Sequence, residues 1–157
     1  SIIQAHNLCY STLIPDSQLH LHPELGPNDY ETFVISGGPV HFVKKHRTQS
    51  LLATLLTAWL SKRKAIRRRL AECADPALKV ILDKQQLAIK VTCNSVYGFT
   101  GVASGLLPCV TIAETITLQG RTMLERCKRF VEAISPEYLS NIVSAPFTHE
   151  PNARFRV

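Results

Sequence analysis

Between Thr32 and Ala71 the chain carries no aspartate or glutamate, although 12 acidic residues occur elsewhere in its 157 positions. The same stretch holds Lys44, Lys45, Arg47, Lys62, Arg63, Lys64, Arg67, Arg68 and Arg69, half of the 18 basic residues. With a net charge of +6, so uneven a distribution points to a polyanionic partner. Other absences narrow the class further. The apolar runs fall far short of the ~18 to 20 residues that a membrane-spanning helix needs. Five cysteines (Cys9, Cys73, Cys93, Cys109, Cys127) are scattered without a C-x-x-C pair. That pattern is expected of reduced thiols in an intracellular setting, not of a disulfide frame or a zinc site. His20 and His22 stand in a proline-flanked stretch that reads as surface loop. No secretory signal, internal repeat or low-complexity tract is visible. A hydrophobic content of 45 % is enough for a core and excludes a disordered tail.

What is present reads as an α+β chain, predominantly helical. Residues 1–13 form a short mixed segment, and prolines at 15, 23 and 27 with Gly26 mark 14–29 as connecting loop. Glu31 to Ile35 and Val40 to Lys44 are β-prone, with Ser36-Gly37-Gly38-Pro39 as a hairpin turn. From about Thr48 to Cys73, Leu51, Leu52, Leu55, Leu56, Trp59, Leu60, Ile66 and Leu70 recur at helical spacing. Asp75-Pro76 then restarts a helix as an N-cap acid followed by Pro at the first position. This second helix is expected to run to about Tyr97, so the pair would form a long antiparallel two-helix hairpin. A glycine-punctuated loop, 99–105, should follow, then a helix from about Thr111 to Ala133 and a shorter one capped by Ser135-Pro136-Glu137. The rest reads as a loop, Ser144 to Asn152, and a strand at Arg154 to Val157.

The sharpest local pattern is Lys90-Val91-Thr92-Cys93-Asn94-Ser95-Val96-Tyr97-Gly98. On a helix, Lys90, Asn94 and Tyr97 fall within roughly 60° of one another. A cation, an amide and an aromatic ring on one face suit a nucleoside triphosphate: charge for the phosphates, an amide to orient them, a ring for the base pair. The alternative is simply the wet side of an amphipathic helix.

Neighbouring residues favour the first reading. Ser1-Ile2-Ile3-Gln4-Ala5-His6-Asn7-Leu8-Cys9-Tyr10-Ser11-Thr12 resembles the family B DNA polymerase pattern in which Asp-Phe-x-Ser-Leu-Tyr-Pro-Ser-Ile-Ile runs into Asn-x-Cys-x-x-Thr. Lys90 to Gly98 resembles that family's fingers-helix motif, and Gly120-Arg121 its palm helix pattern Thr-x-x-Gly-Arg. Gln85-Gln86-Leu87-Ala88-Ile89-Lys90 and Tyr97-Gly98-Phe99-Thr100-Gly101-Val102 narrow the resemblance to the herpesvirus branch, and within it to gammaherpesvirus types. It covers essentially the whole chain.

The resemblance implies template-directed transfer of a nucleotide from a dNTP to a primer 3'-OH in viral DNA replication. It implies primer-template DNA, a dNTP and a viral processivity subunit as partners, and the host cell nucleus as the place. It divides the chain into a palm segment (1–13), a connecting loop and β-hairpin (14–47), a fingers helical hairpin (48–99) and an incomplete palm segment (100–157). The carboxylates that hold two Mg2+ ions in the family are expected before Ser1 and after Val157. The chain is then an internal piece, inactive alone.

For individual residues, the resemblance assigns Lys90 to the triphosphate, with a general-acid role towards the leaving pyrophosphate. Asn94 is expected to bond the triphosphate, and Tyr97 to pack near the nascent base pair. Gly98 would permit close backbone approach, or serve as a plain helix C-cap. Arg63 and Arg67, four apart, match the basic pair that grips the outer phosphates. The family often has lysine at the second position, so Arg67 is a departure that keeps the charge. Lys62, Lys64, Arg68 and Arg69 read as a solvated flank or as DNA steering. Arg121 is read either as a DNA contact or as the partner of Glu125 one turn on. Lys44 to Arg47 and Lys62 to Arg69 also resemble nuclear-import clusters, although a phosphate-binding helix face accounts for the second. Two rivals remain: a non-catalytic helical module that binds nucleic acid, and a polymerase relic that has lost its carboxylates.

Overall fold

A computed structural model describes residues 1–105, 107–143, 146–150 and 152–157. The fold is predominantly helical with one small antiparallel sheet. In chain order come α1 (Ile2–Ala5), β1 (Leu13–Pro15), a 3-10 turn (Asp16–Leu21), β2 (Tyr30–Ile35) and β3 (Gly38–Val43). Then follow α2 (Leu51–Glu72), α3 (Pro76–Gly101), α4 (Val110–Glu132) and α5 (Pro136–Ile142). The chain forms two compact units, Ser1–Thr117 and Leu118–Val157.

In the first unit the strands order as β1-β3-β2. Ser36 and Gly37 turn β2 into β3, and Gly38 takes φ +106°, a left-handed value that glycine reaches without steric cost. The pairing Phe33↔Val40 buries both side chains, while Val34 faces outward, as the two-residue strand period requires. Phe33 and Phe42 meet edge to face at 5.9 Å. The stretch expected to be plain loop, 14–29, instead contributes to β1 and the 3-10 turn. Pro15 is accommodated because β1 is an edge strand, where a missing N–H costs no ladder bond.

Asp75 accepts a hydrogen bond from the Ala77 N–H at 2.9 Å and starts α3 with Pro76 in its first turn, as its sequence predicts. Helix α2 has its own cap, the Ser50 hydroxyl, which accepts from the Ala53 N–H at 3.0 Å. A core of Ile3, Cys9, Leu52, Leu56 and Val96 joins α1, α2 and α3, with Trp59, Cys93, Phe99 and Ile116 packed against it. Phe99 explains why α3 does not stop at Gly98. Its ring belongs to this core, so the helix continues to Gly101. The Thr100 hydroxyl bonds the Tyr97 carbonyl at 2.8 Å, and the Thr100 carbonyl accepts the Cys109 N–H at 2.8 Å.

In the second unit, Ser135 caps α5 by accepting from the Tyr138 N–H at 3.1 Å. Arg154 to Val157 is not a strand, since no ladder partner lies beside it among the described residues. The Val157 N–H bonds Glu132 Oε1 at 3.2 Å instead. Of the loop expected at Ser144 to Asn152, Ser144, Ala145 and Pro151 lie outside the described residues.

Asn7 ties the first unit together. It is buried, and it is the one described non-glycine residue with a positive φ, +53°. Its Nδ2 donates to the Val43 and Thr48 carbonyls, both at 2.8 Å, and its Oδ1 accepts the Ser50 N–H at 3.1 Å. Its own carbonyl accepts the Thr12 hydroxyl at 2.7 Å. Asn7→Ala removes three bonds and places a Cβ without compensation in the left-handed region, and should cost about 3 kcal/mol. Asn7→Gly loses the same bonds but not the conformation, and should cost about 1 kcal/mol less. Urea midpoints at constant slope measure both; equal midpoints would mean that the backbone conformation carries no cost.

Asp29 gives the same unit an acid limb. Its carboxylate is held below the usual carboxylate range, first by its hydrogen bond with His46 Nε2 at 2.8 Å and next by the Gly26 N–H at 2.9 Å. A depressed folded-state value contributes stability in full above the unfolded value of about 3.9, and loses it as pH falls through the folded one. The fall in melting temperature below about pH 4 should therefore be shallower in Asp29→Asn than in the unsubstituted chain.

Candidate functional site

The stripe that buries Leu52 and Leu56 on α2 continues through Trp59, Arg63, Ile66 and Leu70 at helical spacing. Arg63 is a cation set in an apolar row, and it is half-buried. Facing it, α3 runs Leu82, Gln86, Ile89, Cys93 and Val96 along its own row, again with one polar member. The two polar members meet: Arg63 Nε–H donates to Gln86 Oε1 at 3.1 Å. Gln86 Nε2 in turn donates to Asp83 Oδ1 at 3.0 Å.

One turn beyond Arg63, Arg67 is exposed. Arg63, Lys64, Arg67 and Arg68 line one shallow hollow of about 520 Å³ with Leu60 and Ala71. Lys64 and Arg68 therefore border the same hollow as the arginine pair. Lys62 and Arg69 are on α2 and outside that lining. Every ion pair among the described residues lies between His6 and Arg47, so none forms on α2 or α3.

On α3, Lys90 is exposed and makes no side-chain hydrogen bond among the described residues. Asn94 and Tyr97 line a second hollow of about 350 Å³, together with Ser1, Leu60, Cys93 and Ile116. The Tyr97 hydroxyl lies 3.1 Å from Thr117 Oγ1, which fixes the ring's outer edge. The structure thus groups Asn94 with Tyr97, and Arg63 with Arg67, while Lys90 lines neither hollow. Gly98 sits inside α3, and among the described residues a Cβ built there meets nothing within 4 Å, so nothing in the described chain requires glycine there. In the second unit Arg121 is exposed and forms no ion pair with Glu125.

Gln86 and Asp83 are what sequence reasoning missed. The signal was a polar residue at a stripe position of α3, opposite another polar residue at a stripe position of α2. Neither hollow is lined by a carboxylate, and no group of three or more His, Cys, Asp or Glu among the described residues is placed to hold a metal. The residues present do not fit a metal centre. They can bind an anion through guanidinium and ammonium groups, orient it through an amide, and offer a ring to a planar ligand.

A sequence model of DNA polymerase family B matches residues 1–157. The DNA polymerase catalytic subunit of Human herpesvirus 8 type P (isolate GK18) is 74 % identical over 157 residues, 100 % of this chain and 16 % of that protein. The DNA polymerase catalytic subunit of Saimiriine herpesvirus 2 (strain 11) is 70 % identical, with the same coverage of 100 % and 16 %. The chain therefore spans about a sixth of the length of these relatives. Among solved structures, the family B DNA polymerase of the hyperthermophilic archaeon Pyrobaculum calidifontis superimposes with a TM-score of 0.63 over 82 % of this chain and 16 % of that one. At 24 % identity that likeness concerns the fold alone.

Proposed function

The chain belongs to DNA polymerase family B, and on that premise we propose that it supplies the nucleotide-binding fingers of a template-directed DNA polymerase, with α2 and α3 as an antiparallel fingers hairpin. The observation that carries the reading is the unpaired cation set. Arg63, Arg67 and Lys90 have no acidic partner among the described residues, and α3, which carries Lys90, also offers an amide and a phenol ring to a separate hollow. A triphosphate supplies the missing negative charge.

In this reading the primer 3'-OH attacks the α-phosphorus of a dNTP and pyrophosphate departs. Arg63 and Arg67 bind the outer phosphates, where a planar guanidinium matches two phosphate oxygens at once. Lys90 offsets charge growing on the leaving group and donates a proton to it. Asn94 orients the triphosphate, and Tyr97 packs beside the new base pair, with Gly98 keeping the helix surface low. Arg121, with Lys62, Lys64 and Arg68, steers DNA. Closure of the hairpin on a correct nucleotide gathers these groups around the triphosphate. Family membership implies Mg2+, but the residues here do not fit it, and their work is on the phosphates themselves. Primer-template DNA and a processivity subunit complete the proposed partners, in the host cell nucleus.

In the complete polymerase, Lys90→Ala should lower the polymerisation rate by about 10²- to 10⁴-fold. Primer-template affinity should stay within about twofold, because the lysine acts on the leaving group and not on DNA. Rapid-quench incorporation and a DNA-binding titration read the two quantities. An equal loss of DNA affinity would make Lys90 a DNA-backbone contact. Tight, steeply salt-dependent DNA binding by this chain alone would favour a nucleic-acid-binding module.

A further inference from the structure

Arg63 differs from the other cations of the face in having a side-chain partner, and that partner is an amide. Its Nε–H is given to Gln86 Oε1 at 3.1 Å, whereas Arg67, Lys64 and Arg68 make no side-chain hydrogen bond among the described residues. The amide of Gln86 is itself fixed. Its NH2 donates to Asp83 Oδ1 at 3.0 Å, and an ionised carboxylate can only accept, so the amide carbonyl must face Arg63. Asp83 and Gln86 lie three residues apart on α3, one turn along the same helix face.

We propose that Gln86 is a positioning residue that holds the Arg63 guanidinium for phosphate, with Asp83 setting the orientation of its amide. The inference rests on the reading of Arg63 as a ligand of the outer phosphates. A guanidinium has five N–H groups in one rigid plane. With Nε engaged on α3, the end-on edge formed by the two terminal nitrogens stays free, and that edge pairs with two phosphate oxygens. The freedom lost by a long side chain on binding is then already lost in the unliganded enzyme. Arg67, with no such tether, adds charge but little geometry. Gln86 touches neither phosphate nor reacting atoms in this scheme, so its effect belongs to ground-state binding of the triphosphate and of pyrophosphate.

The test uses the complete polymerase. Gln86→Met keeps the shape and removes the acceptor. It should raise the KM for dNTP and the inhibition constant of pyrophosphate together, by about tenfold, one charge-assisted hydrogen bond's worth. The maximal rate, primer-template affinity and melting temperature should change by little. In an Arg63→Ala background Gln86→Met should have no further effect. Exchanging the pair as Asp83→Asn with Gln86→Glu reverses the bond between them, keeps an acceptor for Arg63, and should recover most of the lost affinity. An undiminished effect of Gln86→Met in the Arg63→Ala background would overturn the inference, as would a fall in rate and melting temperature without a KM change. If Gln86→Met is silent while Arg63→Ala weakens dNTP binding, the tether is refuted and the phosphate role of Arg63 stands. If Arg63→Ala leaves dNTP and pyrophosphate binding unchanged, the underlying reading of this face fails.

Discussion

Three hydrogen bonds from one buried amide decide where α2 begins, and most of the first unit follows from that. Asn7 reaches the end of β3 at Val43, the turn at Thr48 and the cap residue Ser50 from a left-handed turn that few other side chains tolerate. Ser50 in turn caps α2 through Ala53. Fixing a helix at its cap fixes its rotation as well as its origin. Once Leu52 and Leu56 point at Ile3 and Cys9, the residues two turns further on have no freedom left, and Arg63 must face α3. The position of the cation is thus set at the Ser50 cap, by a side chain, Asn7, with no chemistry of its own in the proposed reaction.

That placement carries an electrostatic cost. Arg63 with Arg67, and Lys64 with Arg68, are like charges four apart on one helix, each pair opposing the helix by about 0.2 to 0.5 kcal/mol. No acid on α2 or α3 forms an ion pair with them among the described residues, whereas in the sheet region carboxylates contact His6, His22, His41, His46 and Arg47. The helix is held instead by burial of Leu52, Leu56 and Ile66. A chain that pairs its charges in one region and leaves them unpaired in the next presents a standing potential for an anion. In the proposed reading, a bound triphosphate relieves the repulsion that weakens the free helix, which adds to affinity.

Much of this was legible in the sequence, and for physical reasons. Asp75-Pro76 announces a helix start because both residues act within one turn, and the Ser36-Gly37 turn is local in the same sense. Helix ends were harder to read. Gly98 looks like a stop, yet Phe99 extends the α3 row of Cys93 and Val96 and packs against a core that also takes Ile3, Leu52, Leu56 and Ile116 from α1, α2 and α4. β1 was hidden for the same reason: a three-residue edge strand with a proline exists only because β3 lies beside it. Leu51 stands in the apolar row of α2 by spacing but is 61 % exposed, so spacing locates the face but not its edges.

The resemblance to the polymerase family mixes two kinds of residue, and the geometry separates them. In Asn7-Leu8-Cys9-Tyr10-Ser11-Thr12 the spacing is that of a folded knot: the Thr12 hydroxyl reaches the Asn7 carbonyl at 2.7 Å, and the Thr12 N–H reaches the Cys9 carbonyl at 3.2 Å. Asn7, Cys9 and Thr12 are all buried, so this pattern has a complete structural explanation and needs no ligand. Lys90, Asn94 and Tyr97 have none. They are exposed, and only Tyr97 has a side-chain hydrogen-bond partner in the described chain. A polar stripe that the fold hardly uses, projecting from a helix packed on its opposite side against α2, suits a binding face. Gln86 stands at the border of the two kinds. It belongs to the apolar row by position and to the polar stripe by spacing from Lys90, so in the proposed reading one side chain couples the packing of α2 and α3 to the phosphate-binding face.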